Sequence, residues 1–309
     1  MNEGFRLSAA LSLRDGCAFY AELARRGEKL CLVDGDVLSL PPGTFQNDRI
    51  LDAPALGVFL RRELAFRWRK LPFVIGIPSS DCLFRTVSLP EMDIGEARSA
   101  IFWSFSELFA YGAGDALFDV CPVQTPNPAR GKMEVVAAVS LRSKLMPLFD
   151  ALTNSRSCVS AAEPQITACA RALTPRSGGG GLSLLAVLFH GAAHIVLLFG
   201  HSGLLFRTIA FEDDSSEFEK TGRVQAVCGE IERTLSYASS AYGAPNVEEL
   251  KLAGAEELCD ELIPLLKFRG RVVRTSVKDY YNLSFLPPAD ENWLDVAGLV
   301  LRHADEDGI

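Results

Sequence analysis

The stretch from Leu71 to Pro122 restricts the fold more than any other part of the chain. Phe73–Ile77 is a continuous apolar run, too short for a helix and closed by Pro78, and it reads as a buried strand. Ser79-Ser80-Asp81 turns the chain. Cys82–Leu89 is expected to run back as a second strand, ended by Pro90, which has no N–H to offer a sheet ladder. Asp93 and Glu96 have capping-box spacing, a device worth about 1 kcal/mol at a helix start. Ile94, Ala97, Ile101, Phe105 and Leu108 then recur at helical spacing, with Phe102 and Phe109 widening the stripe. Gly112-Ala113-Gly114 stops the helix, and Leu117–Pro122 follows as another strand.

A chain of 309 residues has room for two globular lobes, and 48% hydrophobic with 23% charged residues is ordinary for a core-forming protein. The net charge of −8 argues against nucleic acid as a partner. Met1–Leu13 has neither a basic start nor the long apolar run of a signal peptide, so the chain is expected to stay inside the cell. The 8 cysteines are scattered without a C-x-x-C pair, which speaks for buried free thiols and against a zinc site or disulfide framework.

Arg6–Leu13 and Cys17–Leu23 flank Arg14-Asp15-Gly16, a hairpin signal. Lys29–Leu32 and Val37–Leu40 flank Asp34-Gly35, read as another turn. Ala53–Phe66 is a helix with Leu56, Phe59, Leu60 and Leu64 on one face. After a proline-rich loop, Met133–Leu141 is a strand, Lys144–Leu152 a helix, Val159–Ala162 a strand and Pro164–Leu173 a helix. Gly178–Gly181 lacks the Lys-Ser/Thr of a P-loop and reads as a linker. Leu182–Phe199 is near membrane-spanning length. Gly191, His190, His194 and the β-branched residues within it make Leu184–Phe189, Ala193–Phe199 and Leu204–Phe211 a strand meander instead. Phe211–Thr221 is a charged loop. Arg223–Tyr242 is a long helix with Val227, Ile231, Leu235 and Ala238 at helical spacing. Leu250–Ala253 is a strand, Glu256–Leu266 a helix, Arg271–Val273 a strand and Trp293–His303 a closing amphipathic helix. The last residues, from Asp305, are expected to fray.

The order of strand pair, proline, capped helix and strand resembles the PilM family of type IV pilus assembly proteins, relatives of actin and the cell-division protein FtsA. The turn Ile77-Pro78-Ser79, the junction Leu89-Pro90-Glu91-Met92 and the helix start Glu96-Ala97-x-x-Ala100-Ile101 carry the resemblance. Glu249–Ala255 resembles the second lobe of PilM and FtsA, and Val296–Arg302 looks like their closing helix, which returns to the first lobe. Nearly the whole chain is covered. The resemblance implies an α/β, actin-like (ribonuclease H-like) two-lobed ATPase fold with a small inserted 1C-type subdomain. Residues 1–90 and 151–177, with the closing helix 293–303, would form the first, 1A-like lobe. Residues 91–150 would form the insert and 182–288 the second lobe.

In that fold two hairpin turns carrying Asp-x-Gly hold the phosphates, Mg²⁺ and water. Here the first turn reads Ser12-Leu13-Arg14-Asp15-Gly16, with Asp15 a displaced remnant. The second reads Phe189-His190-Gly191-Ala192, with Phe189 in place of Asp. Ala161 replaces a third Asp, and the adenosine loop keeps Gly254 but has Ala255 for its second glycine. Gly16, Gly191 and Gly254 are thus the remnant of a nucleotide cleft. The missing carboxylates leave Mg²⁺ few hard oxygen ligands and an attacking water no base. The expectation is a protein that is not an enzyme, with no catalytic residues, metal or required cofactor, although ATP binding without turnover stays open. A metal on His190, His194 and His201 is not expected, because a strand turn separates the first two. Gly200-His201-Ser202-Gly203 lacks the strand-to-helix setting of a nucleophile elbow.

In PilM-like proteins the groove around the 1A and 1C subdomains receives the short cytoplasmic tail of PilN, a single-span membrane protein. The aromatic helix with Phe102, Trp103 and Phe109 reads either as buried in the insert's own core or as lining such a groove with the strand Leu83–Val87, Arg85 then standing at the rim. The expected role is a cytoplasmic scaffold held at the inner face of the inner membrane by a PilN-like partner, with self-association left open. Two other readings are a nucleotide-switched actin-like ATPase and a GspL-like component of type II secretion. The latter family continues into a membrane span, and none is read here.

Overall fold

The computed structural model describes residues 5–26, 29–64, 71–153, 158–174, 181–212, 217–243, 247–280, 283–285 and 293–306. The chain begins with strands β1 (Phe5–Arg14), β2 (Cys17–Arg26) and β3 (Lys29–Ser39). The short pair β4 (Phe45–Gln46) and β5 (Arg49–Ile50), helix α1 (Ala53–Leu64) and strand β6 (Pro72–Ile77) follow. Next come β7 (Cys82–Pro90), α2 (Ile94–Trp103), α3 (Phe105–Leu108), β8 (Ala116–Val123) and β9 (Lys132–Leu141). Then α4 (Arg142–Thr153), β10 (Cys158–Pro164) and α5 (Gln165–Ala172) complete the first half. The second half holds β11 (Leu182–Leu188), β12 (Ala192–Phe199), β13 (Ser202–Ala210), α6 (Glu217–Tyr242), β14 (Glu249–Gly254) and α7 (Glu256–Leu262). It ends with β15 (Arg271–Arg274), β16 (Leu283–Phe285) and α8 (Leu294–Glu306).

Two sheets share one plan. The first runs β10-β6-β1-β2-β3-β16 and the second β13-β12-β11-β14-β15. In each, an antiparallel meander is extended on its first strand by parallel strands. Both sheets turn a face toward α5 and α8. A single core joins Ala10, Leu23 and Val74 of the first sheet and Leu185 and Val196 of the second to Ile166 and Leu299 of the two helices. The helices touch at Gly298, where a Cβ would stand 2.0 Å from the Ala168 carbonyl oxygen. Across the first sheet, α1 and α4 cover the other face through Leu56, Leu60, Leu145 and Leu148. The second sheet's outer face is covered by α6 and α7.

The insert is a separate sheet, β7-β9-β8, with α2 and α3 on one face. Asp93 caps α2 as its spacing indicated: its carboxylate accepts from Gly95 and Glu96 N–H, and Glu96 accepts from Asp93 N–H. The opposite face leans on the second lobe, where Phe84 stacks on Phe206 at 4.5 Å and Thr86 Oγ1 donates to Leu204 O at 2.6 Å.

Several expectations are corrected. Cys82–Leu89 does not pair with Phe73–Ile77; a 3-10 turn at Ser79–Asp81 lifts it out of the first sheet to pair with β9. The insert therefore spans 82–141, because α4 packs on α1 in the first lobe. Asp34-Gly35 is no turn: β3 runs through it with a bulge between the pairs Glu22↔Asp34 and Leu23↔Leu32. The helix from Ile94 breaks at Ser104 into α2 and α3. The helix read over Glu256–Leu266 ends at Leu262, with a 3-10 turn over Ile263–Leu265. β16, from the span assigned to the second lobe, pairs with β3 of the first. The Leu182–Phe199 run forms β11 and β12, and no described helix is long and apolar enough to cross a membrane. Residues 65–66 of the first expected helix, 213–216 of the charged loop, 178–180 of the linker, 175–177 and 286–288 of the assigned lobes and the tail 307–309 lie outside the described residues.

Candidate functional site

The β1–β2 and β11–β12 turns meet between the lobes. Asp15 and Gly16, at φ 53° and 70°, form a two-residue turn of the kind that favours Asp-Gly. Asp15 Oδ1 accepts the Gly191 N–H at 2.5 Å, and a Cβ on Gly191 would lie 2.8 Å from that oxygen. The glycine therefore lets the two turns touch.

Arg14, which the motif reading passed over, fills the space behind them. It is 3% exposed, with its guanidinium carbon 3.8 Å from the Phe19 ring centre and 4.4 Å from that of Phe189. Its Nε donates to Asp295 Oδ2 at 3.1 Å and its Nη1 to Asp15 Oδ2 at 2.9 Å. Burial by itself lowers the Arg14 pKa, but the charges and hydrogen bonds of Asp295 and Asp15 leave it raised. Asp295 sits in the first turn of α8, where the helix dipole favours an anion. Ser12 Oγ also donates to Asp295 Oδ2, and Gln165 Nε2, at the start of α5, donates to Ser12 Oγ and Leu13 O, both at 2.6 Å. No local sequence motif signals this contact, because Arg14 and Phe189 come from turns of different lobes.

The space left in this cluster is about 10 Å³, lined by Arg14, Asp48, Phe189 and His194, too little for a phosphate. Outside it, a cavity of about 220 Å³ is lined by Asp15, Gly16, Asn47, Asp48, His190, Gly191 and Arg223. Burial pushes the Asp48 carboxyl up to about 7, against the Ser80 hydrogen bonds that lower it, with Asp81 and Asp15 adding to the rise. Burial holds His194 down to about 4, with Arg14 acting in the same direction and Asp295 opposing, so its imidazole is neutral beside Thr208. Of the three remnant glycines, Gly16 and Gly191 line this cavity together. Gly254 does not: its φ of 104° lets β14 end against β11, where a Cβ would meet Leu188 O at 2.1 Å. The donor set does not fit Mg²⁺–nucleotide. One carboxylate is bound to Arg14 and Gly191 N–H, and the other is predominantly protonated below pH 7. Among the described residues no group of three or more His, Cys, Asp or Glu is placed to hold a metal ion, and exposed His190 lies 3.3 Å from Glu257.

A second cavity, of about 170 Å³, opens where the insert joins the first lobe. Ile77, Cys82, Leu145 and Phe149 line it from one side, and Leu117, Phe118, Asp119 and Ala138 from the other. β8 is an edge strand, and its outer backbone groups are held by side chains: Arg98 Nη2 donates to Phe118 O at 3.2 Å and Val120 N–H to Asp119 Oδ1 at 2.9 Å. The expected groove residues lie on the other face of this sheet. Leu83, Arg85 and Phe102 are exposed there and Trp103 is 82% exposed. Phe109 is not among them. It is 6% exposed, packed on Phe105 at 4.7 Å in the insert's core, because the break at Ser104 turns it inward.

No protein-family model matches the sequence, and no curated protein matches it. Solved structures do. A chain of a PilM-PilN type IV pilus biogenesis complex is 14% identical, with TM-score 0.75 over 96% of this chain and 98% of that one. The cytoplasmic domain of EpsL, an inner membrane component of the type II secretion system of Vibrio cholerae, is 12% identical, with TM-score 0.50 over 96% and 94%. A Bacteroides thetaiotaomicron protein with an actin-like ATPase fold and unknown function is 12% identical, with TM-score 0.52 over 95% of each chain. This chain has the actin-like fold.

Proposed function

We propose that the protein is a scaffold of a type IV pilus or related secretion machine that docks the cytoplasmic tail of a PilN-like inner-membrane protein and does not hydrolyse ATP. One contrast carries the reading: Arg14 and Phe189 fill the inner end of the interlobe cleft, whose outer cavity is lined by a carboxylate already bound and a second one held protonated, whereas the junction of insert and first lobe is open and mostly apolar. The names of the neighbours, a PilM-PilN complex and a secretion-system component, support the choice of machine. The tail enters the junction beside the β8 edge. Leu83, Arg85, Phe102 and Trp103 form a second contact face on the α2 side. Residence at the inner face of the inner membrane follows from the partner.

Titration of the partner's N-terminal peptide into the wild type and Leu117→Arg tests this. A buried anchor typically carries 2 kcal/mol or more, so Leu117→Arg should weaken binding roughly thirtyfold in protein whose cooperative melting shows it still folded. Equal affinities would remove the junction from the site.

A further inference from the structure

A second surface lies on the far side of the second lobe. From Leu262 to Lys278 the chain carries Lys267, Arg269, Arg271, Arg274 and Lys278 but no Asp or Glu, in a protein with 39 acidic and 31 basic residues. The leading part of this segment, between α7 and β15, is built to present alternate side chains. Leu262, Leu266 and Phe268 pack into the second-lobe core. Gly270 brings the chain against Glu248, where a Cβ would stand 2.4 Å from its carbonyl oxygen and Arg271 N–H donates to that oxygen at 2.8 Å. With these residues anchored inward, Ile263 and Leu265 project outward at 40% and 46% exposure, beside exposed Lys267 and Arg269. Arg271 is neutralised by Glu249 and Arg274 by Asp260. Among the described residues neither Lys267 nor Arg269 has an ion-pair partner. The segment leads into β15, an edge strand, so no neighbouring strand covers that side of the sheet.

We infer that Ile263, Leu265, Lys267 and Arg269 form a contact site for an anionic membrane surface. Two cations following two projecting aliphatic side chains match a headgroup layer with hydrocarbon beneath it, because charge draws the segment in and the aliphatic groups enter the boundary. A soluble acidic peptide would use the cations and leave the aliphatic pair in water. The site belongs to the second lobe and the docking junction to the first, so each stands or falls separately.

The test is sedimentation of the full chain with vesicles of phosphatidylcholine alone and of phosphatidylcholine with phosphatidylglycerol. The chain should sediment with the mixed vesicles only and be released by salt. Each cation near such a surface is worth about fivefold, so Lys267→Ala with Arg269→Ala should weaken binding roughly twentyfold or more. Ile263→Ser with Leu265→Ser should also weaken binding while leaving the melting temperature in place. Absence of binding to mixed vesicles would overturn the proposal. So would equal binding by wild type and both double variants, or capture of soluble polyglutamate through Lys267 and Arg269 without vesicle binding.

Discussion

The interlobe cleft and the junction between insert and first lobe are both concave, and they are closed to different degrees by different chemistry. In the cleft, a buried guanidinium lies between two aromatic rings and two carboxylates, and the turns of both lobes are hydrogen-bonded across it. At the junction, the β8 edge carries the Arg98–Asp119 pair, 3.4 Å apart and exposed, an interaction worth little in water. The inner end of the cleft between the hairpin turns is packed as core, and the surface beside the insert is open.

Removing the plug should have the largest effect. Arg14→Ala leaves Asp295 fully buried without its cation, and breaking such a pair costs about 3–5 kcal/mol. Denaturant unfolding should show that loss; a change below about 1 kcal/mol would mean the cluster is not structural.

The next effect depends on pH. Asp48 is held protonated to about 7 in the fold against 3.8 as its ordinary value. Between these values the folded state holds a proton that the unfolded chain has released, so stability falls as pH rises toward 7. Asn keeps the shape and the acceptor for Ser80 N–H, and it tolerates the φ of 53° at this position. Asp48→Asn should therefore stabilise by about 4 kcal/mol near pH 8, by about half of that or less near pH 5, and hardly at all below about pH 3. A gain independent of pH would contradict this origin.

Trp103→Ala should do least to the fold. A side chain 82% exposed contributes little, so the melting temperature should move by no more than the equivalent of about 0.5 kcal/mol. A drop in tail affinity without loss of stability would make the α2 face part of the docking site.

The two regions were also unequally legible in the sequence. The meander strands and the capped α2 follow from local periodicity and capping chemistry, which need no knowledge of partners. The exit of Cys82–Leu89 from the first sheet does not, because strand pairing is a non-local choice and β9 lies some fifty residues further along. Phe109 illustrates a second limit: a stripe read as one helix misplaces every residue beyond an unrecognised break at Ser104. That the β11–β12 turn carries Phe189 and no carboxylate could be read directly. That Arg14 stacks on Phe189 and pairs with Asp295 could not, since the three residues come from distant segments. The junction cavity likewise draws on β6, β8, β9 and α4, so no single motif announces it.

The most direct test is calorimetric titration of the tail peptide into the protein with and without Mg²⁺–ATP. The account predicts the same tail affinity in both, with no binding heat from the nucleotide alone and no phosphate release. Saturable nucleotide binding that shifts the tail affinity would contradict it, because Arg14 occupies the inner cleft and the carboxylates beside the outer cavity are not free to hold Mg²⁺.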